Sequence, residues 1–176
     1  MMRTSNPILL GNVIKSIQTL SPTAYINSFA KDFVLGVMKT GPVPKHVAMI
    51  MDGNRRYAKS KNLPISEGHE AGAESLIHSL NVCYRIGVDV VTIYAFSIEN
   101  FNRSLDEVEV LFNLLRDRLH QLALSKDSFA RVNKVQVRIV GQKSLIPEDI
   151  MTQLEEIEAS TKIEGSHKFL NVCIPY

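Results

Sequence analysis

The sequence predicts an α/β domain, a mostly parallel sheet with helices on both faces. Three observations carry this. Short runs rich in Val and Ile, at residues 46–51, 88–96, 135–141 and 169–174, alternate with longer segments whose apolar residues recur every three or four positions. Helix start and stop signals separate the two kinds of segment. The composition, 45% hydrophobic and 22% charged over 176 residues, is that of a globular chain long enough to bury a core.

Residues 1–45 form an extension and linker; residues 46–176 form the α/β domain. In the extension Leu10, Ile14 and Ile17 fall at helical spacing, as do Ile26, Phe29, Phe33 and Val37, with a break near Ser21-Pro22. Arg3, Lys15, Lys31 and Lys39 face one acid, Asp32. Two readings stay open: helices packed on the domain or on a partner, or a membrane-surface segment with lysines at the headgroups. The segment lacks the compact apolar stretch and small-residue cleavage site of a signal peptide. Gly41-Pro42-Val43-Pro44 is a stiff linker.

The domain opens with His46-Val47-Ala48-Met49-Ile50-Met51, an apolar run read as a buried strand. Residues 69–85 are helical, with Ala73, Leu76, Ile77, Leu80 and Cys83 on one face and Gly87 as the stop. Residues 88–96 are the second strand. Ser104-Leu105-Asp106-Glu107 reads as a capping box that opens a long helix, with Val108, Leu111, Phe112, Leu115, Leu119 and Leu122 inward. Residues 135–141 are the third strand. Pro147-Glu148-Asp149 starts the next helix, proline in the first turn and acids at the positive dipole end. Residues 169–174 are the fourth strand.

Several function classes drop out. A formal charge of +2 does not indicate a nucleic-acid partner. Cys83 and Cys173, the only two cysteines, make neither a disulfide framework nor a Cys-rich zinc module. No apolar run reaches the roughly 20 residues of a spanning helix. The zinc-protease, P-loop, nucleophile-elbow and dinucleotide glycine motifs are all missing.

In a parallel sheet, ligands bind beyond the carboxyl ends of the strands. After the first strand comes Asp52-Gly53-Asn54-Arg55-Arg56-Tyr57. A carboxylate at the strand tip is followed by a glycine for a tight turn, then by two arginines at a helix start, where free N–H groups favour an anion. Arginine grips phosphate with two parallel bonds. An acid beside such a nest suits Mg²⁺, which is held by one or two carboxylates plus substrate phosphates. The competing reading is a solvated helix start with surface ion pairs. After the second strand, Ser97, Asn100 and Arg103 supply donors and Phe101 an apolar wall. His69, at the next helix start, is either structural or a charge partner near the phosphate nest. Asn102-Arg103-Ser104 also matches the short glycosylation sequon.

Two blocks, residues 46–59 with Glu67-Gly68-His69, and Tyr94-Ala95-Phe96-Ser97-Ile98-Glu99-Asn100-Phe101-Asn102-Arg103, resemble the cis-prenyltransferases, the undecaprenyl and dehydrodolichyl diphosphate synthases. The match runs from about Gly41 to Tyr176, and Arg55-Arg56 and Phe101 look like the eukaryotic dolichol branch. The resemblance implies that isopentenyl diphosphate is condensed onto an allylic diphosphate such as farnesyl diphosphate, giving a long-chain polyprenyl diphosphate for dolichol synthesis. Carried onto this chain, Asp52 coordinates Mg²⁺ and assists departure of the diphosphate. Gly53, Asn54, Arg55, Arg56 and His69 surround phosphates. Ser97 and Asn100 position isopentenyl diphosphate and assist proton loss, while Phe101 and Arg103 shape the same pocket. Glu99 organises the loop. The Leu111, Phe112, Leu115 and Leu119 face is either core or part of an apolar tunnel. The resemblance further implies a homodimer or a heterodimer with a homologous subunit. It implies peripheral residence on the cytosolic face of the endoplasmic reticulum membrane or on lipid droplets.

This sequence departs from the family pattern at Ile65, where an arginine is common. Family members also continue past the strand that ends near Tyr176, to further strands, an Arg-x-Ser-Gly segment and a metal-binding glutamate. The expectation is therefore a C-terminally truncated domain lacking the last strands, with weak farnesyl diphosphate binding and little turnover on its own. The alternative function is an inactive family member acting as a binding or regulatory subunit. The helical trans-prenyltransferases, with their Asp-Asp-x-x-Asp motif, do not fit.

Overall fold

The structure, a computed structural model, describes residues 22–124 and 128–176. It divides into two compact units, residues 1–42 and 43–176. The first contains helix α1, Pro22–Met38, which starts at the proline where the sequence breaks. The helix expected around Leu10, Ile14 and Ile17 lies outside the described residues.

The second unit runs β1 (His46–Ile50), α2 (Asn54–Lys61), α3 (Ile65–Ile86), β2 (Val90–Tyr94), a 3-10 turn (Ile98–Asn102) and α4 (Leu105–Ala123). It continues through a short α5 (Phe129–Asn133), β3 (Val135–Val140), α6 (Glu148–Ser160) and β4 (Lys168–Cys173). All strand pairs are parallel, in the order β1-β2-β4-β3. The predicted α/β class is the observed one.

Strand alternation decides where the core lies. Val91, Ile93, Val135, Val137, Ile139, Leu170 and Val172 point to one face, where they meet Leu80 and Tyr84 of α3, Phe112 and Leu119 of α4, and Leu154 and Ile157 of α6. The intervening residues carry a polar ladder instead. Asn171 Nδ2 donates to Thr92 Oγ1 at 3.0 Å, and the same hydroxyl lies 2.7 Å from His46 Nε2. Arg138 stacks 3.6 Å above the Phe169 ring. Sequence alternation predicts helices on both faces; in this unit the buried cluster occupies one.

The reading of β1 as a buried strand needs correction. Only Val47 and Met49 are half-buried; His46, Ala48 and Ile50 are exposed, Ile50 by 72%. Among the described residues β1 pairs only with β2, so it is an edge strand with one face on the core. The opposite edge, β3, is guarded by α6. Thr161 Oγ1, just past α6, accepts from Val137 N–H, and Glu158 Oε1 accepts from Ile139 N–H.

Register places the strand tips level. Ile50 pairs with Tyr94, and Tyr94 with Cys173, so the segments after β1, β2 and β4 leave the sheet together. Ile98 N–H donates to Tyr176 O at 2.9 Å and ties two of them. Leu154 is fully buried at the contact of α6 with the core. Leu154→Ala should cost about 3 kcal/mol, read as a lower midpoint in urea unfolding.

Candidate functional site

The turn after β1 is built by Gly53. Its φ of 92° is left-handed, a conformation glycine adopts without a Cβ penalty, and it turns the chain into α2. Asp52 Oδ1 accepts from Gly53 N–H, and Oδ2 accepts from Arg56 Nη2 at 3.1 Å. That ion pair is about 80% exposed on both sides and contributes little to stability. The Asp52 carboxylate therefore remains available to a ligand.

A close approach of α2 and α3 fixes the position of the α2 start. A Cβ on Gly68 would stand 2.4 Å from Asn54 O, and one on Gly72 would stand 2.4 Å from Asn54 Oδ1. Gly68 lies in the first turn of α3, which begins at Ile65, one turn earlier than the sequence suggests. The α2 start thereby sits beside His69, which is 6% exposed.

The segment after β2 is held from within. Ser97 N–H donates to Asn100 Oδ1 at 3.1 Å, and Ser97 Oγ donates to Glu99 Oε2 at 3.3 Å. Phe101 packs edge-on against Phe96 at 4.9 Å, and Phe96 packs on Phe112 at 4.8 Å. The aromatic trio roots the loop in the core.

Asp52, Gly53, Asn54, Arg55, Arg56, His69, Asn100 and Arg103 line one cleft of about 710 Å³, together with Met51, Lys59, Ile65 and Leu111. Ser97 and Phe101 are not among its lining residues; they support the loop beside it. Leu111 reaches the cleft, whereas Phe112 and Leu119 are buried in the core.

Sequence reasoning assigned Glu107 only to the cap of α4. Ser104 Oγ does accept from Glu107 N–H at 3.3 Å. The Glu107 side chain, however, turns across to other elements. Its Oε1 accepts from Arg103 Nη1 at 2.9 Å, lies 3.4 Å from His69 Nε2 and 4.0 Å from Arg55 Nε. Burial holds the His69 pKa below the ordinary histidine value, against the opposing pull of Glu107; Arg103 and Arg55 push it further down. Near neutral pH the imidazole is thus mainly uncharged.

The cleft gathers guanidinium groups, a lysine and the free N–H groups of a helix start beyond the carboxyl ends of β1 and β2. That arrangement suits an anion with several oxygens. Among the described residues no group of three or more His, Cys, Asp or Glu converges on a metal position. A divalent ion at Asp52 would draw its other ligands from a bound phosphate and water, the usual pattern for Mg²⁺. Gly68→Ala should lower stability by about 1–2 kcal/mol through overpacking, although alanine on an unobstructed helix gains roughly 1 kcal/mol. It should also weaken Mg²⁺-pyrophosphate binding, measured by calorimetric titration.

A family profile described as "Putative undecaprenyl diphosphate synthase" matches residues 50–176. The chain is 42% identical over 153 residues to dehydrodolichyl diphosphate synthase complex subunit SRT1 of Saccharomyces cerevisiae, covering 86% of this chain and 44% of that protein. It is 41% identical over 144 residues to the human dehydrodolichyl diphosphate synthase complex subunit DHDDS, covering 82% of this chain and 43% of that one. Among solved structures, lavandulyl diphosphate synthase from Lavandula x intermedia, in complex with dimethylallyl diphosphate, aligns with a TM-score of 0.63 and 29% identity. That alignment covers 74% of this chain and 55% of the other. The chain spans about half the length of the curated relatives it matches. With the profile matched across most of its length and the same fold in a solved relative, the chain belongs to the undecaprenyl diphosphate synthase family, the cis-prenyltransferases.

Proposed function

We propose that the chain is a prenyltransferase of the dehydrodolichyl diphosphate synthase type, condensing isopentenyl diphosphate onto an allylic diphosphate such as farnesyl diphosphate. One observation carries the reading. A single cleft joins the Asp52 carboxylate, the α2 start with Arg55 and Arg56, and the donors His69, Asn100 and Arg103.

The chemistry follows from those groups. Breaking the allylic carbon–oxygen bond leaves negative charge on the departing diphosphate. The N–H groups at the start of α2 and the guanidinium groups of Arg55 and Arg56 would stabilise it. Asp52 is the carboxylate that would hold Mg²⁺, which supplies further neutralisation of the leaving group. The double bond of isopentenyl diphosphate then attacks the allylic carbon, and a proton passes from the neighbouring carbon to a diphosphate oxygen. Asn100, its Oδ1 occupied by Ser97 N–H, keeps its amide Nδ2 for a substrate oxygen, and Arg103 stands beside it. Ser97 acts through this loop. The apolar Met51, Ile65 and Leu111 offer a lipid tail a surface on the cleft wall.

The same reading places the protein peripherally on the cytosolic face of the endoplasmic reticulum membrane, working with a homologous subunit. Two relatives carry the name of complex subunits, which supports the assembly. No described helix is long and apolar enough to cross a membrane. Helix α1 exposes Phe29, Phe33, Val34 and Val37, with Lys31 and Lys39 on the same segment. That composition suits an interfacial helix.

Calorimetry should show farnesyl diphosphate binding that is weak and requires Mg²⁺, and labelled isopentenyl diphosphate should be incorporated, slowly by this chain alone, into a polyprenyl product. Asp52→Ala should reduce incorporation roughly 100-fold or more. A chain that neither binds farnesyl diphosphate nor forms product overturns the reading. In a separate test, the chain should float with liposomes containing anionic lipid, and the double change Phe29→Ser with Phe33→Ser should leave it in the pellet fraction.

A further inference from the structure

We propose that Glu107 is the positioning residue of the cleft, the anchor that holds Arg55, His69 and Arg103 in one arrangement. The proposal rests on the reading of the cleft as a diphosphate site.

The two guanidinium groups and the imidazole come from separate pieces of chain. Arg55 lies in α2, His69 in α3, and Arg103 follows the 3-10 turn. Backbone packing places their Cα atoms, but long arginine side chains retain much rotamer freedom. Something must select one rotamer for Arg55 and Arg103 if both are to face the same ligand. The common point is a single oxygen, Glu107 Oε1, within 2.9–4.0 Å of all three.

The anchor is itself well fixed. Glu107 sits in the first turn of α4, where Ser104 Oγ secures its backbone N–H. Its side chain is 15% exposed and that of His69 only 6%. A carboxylate so far out of water is tolerated because cations surround it.

The neighbouring acids cannot replace it. Asp52 pairs with Arg56, Glu99 accepts from Ser97, and Glu70 pairs with Arg118. Glu107 also sets the charge around His69, which Arg103 and Arg55 face from the other elements.

This role makes a distinctive prediction for Glu107→Gln, which keeps size and one acceptor oxygen but removes the charge. Losing the anchor disorders two guanidinium groups, while removing a negative charge favours anions in general. The two effects oppose each other in binding and not in turnover. Incorporation kinetics should therefore show kcat reduced roughly tenfold, with KM for farnesyl diphosphate changed less than about threefold. Glu107→Asp restores the charge one methylene short and should recover part of kcat.

The direct readout is nuclear magnetic resonance of the full chain without substrate. The Nε–H signals of Arg55 and Arg103 should be sharp in the wild type and broadened in Glu107→Gln, and the His69 titration midpoint should fall. Unchanged arginine signals and an unchanged His69 midpoint overturn the proposal, as does a wild-type kcat in Glu107→Gln. If Glu107→Gln fails to fold, the same signals are compared between wild type and Glu107→Asp, with the same two outcomes. A wild-type chain that binds neither pyrophosphate nor farnesyl diphosphate refutes the diphosphate reading; the arginine and histidine signals then still decide whether Glu107 is the anchor.

Discussion

The contact between the start of α2 and the first turns of α3 is the constraint on which the rest of the site depends. Asn54 lies so close to Gly68 and Gly72 that a single added carbon on either would meet it at 2.4 Å. Dispersion between well-packed atoms is individually weak, but a forced shift of backbone here moves every group on the α2 start together. Gly53 turns the chain toward this contact, and the parallel register of β1 with β2 sets its height. Two helices of unequal length are thereby locked so that Arg55, Arg56 and His69 share one opening.

Within that frame the charged groups divide into two kinds. Asp52 and Arg56 form a solvated pair at the rim, which salt screens and a ligand can readily displace. Glu107, His69 and Arg103 form a half-buried network, where a charge without its partners is costly and geometry is correspondingly stiff. A site of the proposed kind, releasing charge onto a departing diphosphate, would use both properties. The rim would exchange partners as the ligand arrives, while the deeper network would keep its donors in place and lose little to reorganisation.

Much of this was legible in the residues. The strands follow from Val and Ile runs, and the α4 start from Ser104 and its acids. The chemistry of residues 52–56 follows from a carboxylate, a glycine and two arginines in immediate succession, all of it local. What escaped was settled by tertiary contacts. Ser104-Leu105-Asp106-Glu107 spells a reciprocal cap, but the glutamate pairs instead with Arg103, four residues before it, and with His69, which only the packing of α3 brings near. Helix α3 starts at Ile65 although Gly68 argues against helix there, because that glycine serves a close approach instead of a break. The apolar run of β1 reads as buried on both sides, yet it lies at the sheet edge.

The one-sided core explains why the cleft opens where it does. Helices α3 and α4 both contribute to that buried core, and residues at or just before their starts, His69 and Arg103, line the cleft. His69 of α3 lines the cleft, and Glu107 of α4 stands behind it, its Oε1 3.4 Å from His69 Nε2 and so linking the two helices. The apolar face of α4 continues from Leu111 at the cleft into Phe112 and Leu119 in the core. In the proposed reading a polar head bound at the strand tips adjoins the apolar side chain of Leu111, a match to the amphiphilic shape of a prenyl diphosphate. The same helices that bury the core supply both ends of the match, so the fold's stability and its ligand chemistry draw on the same packing.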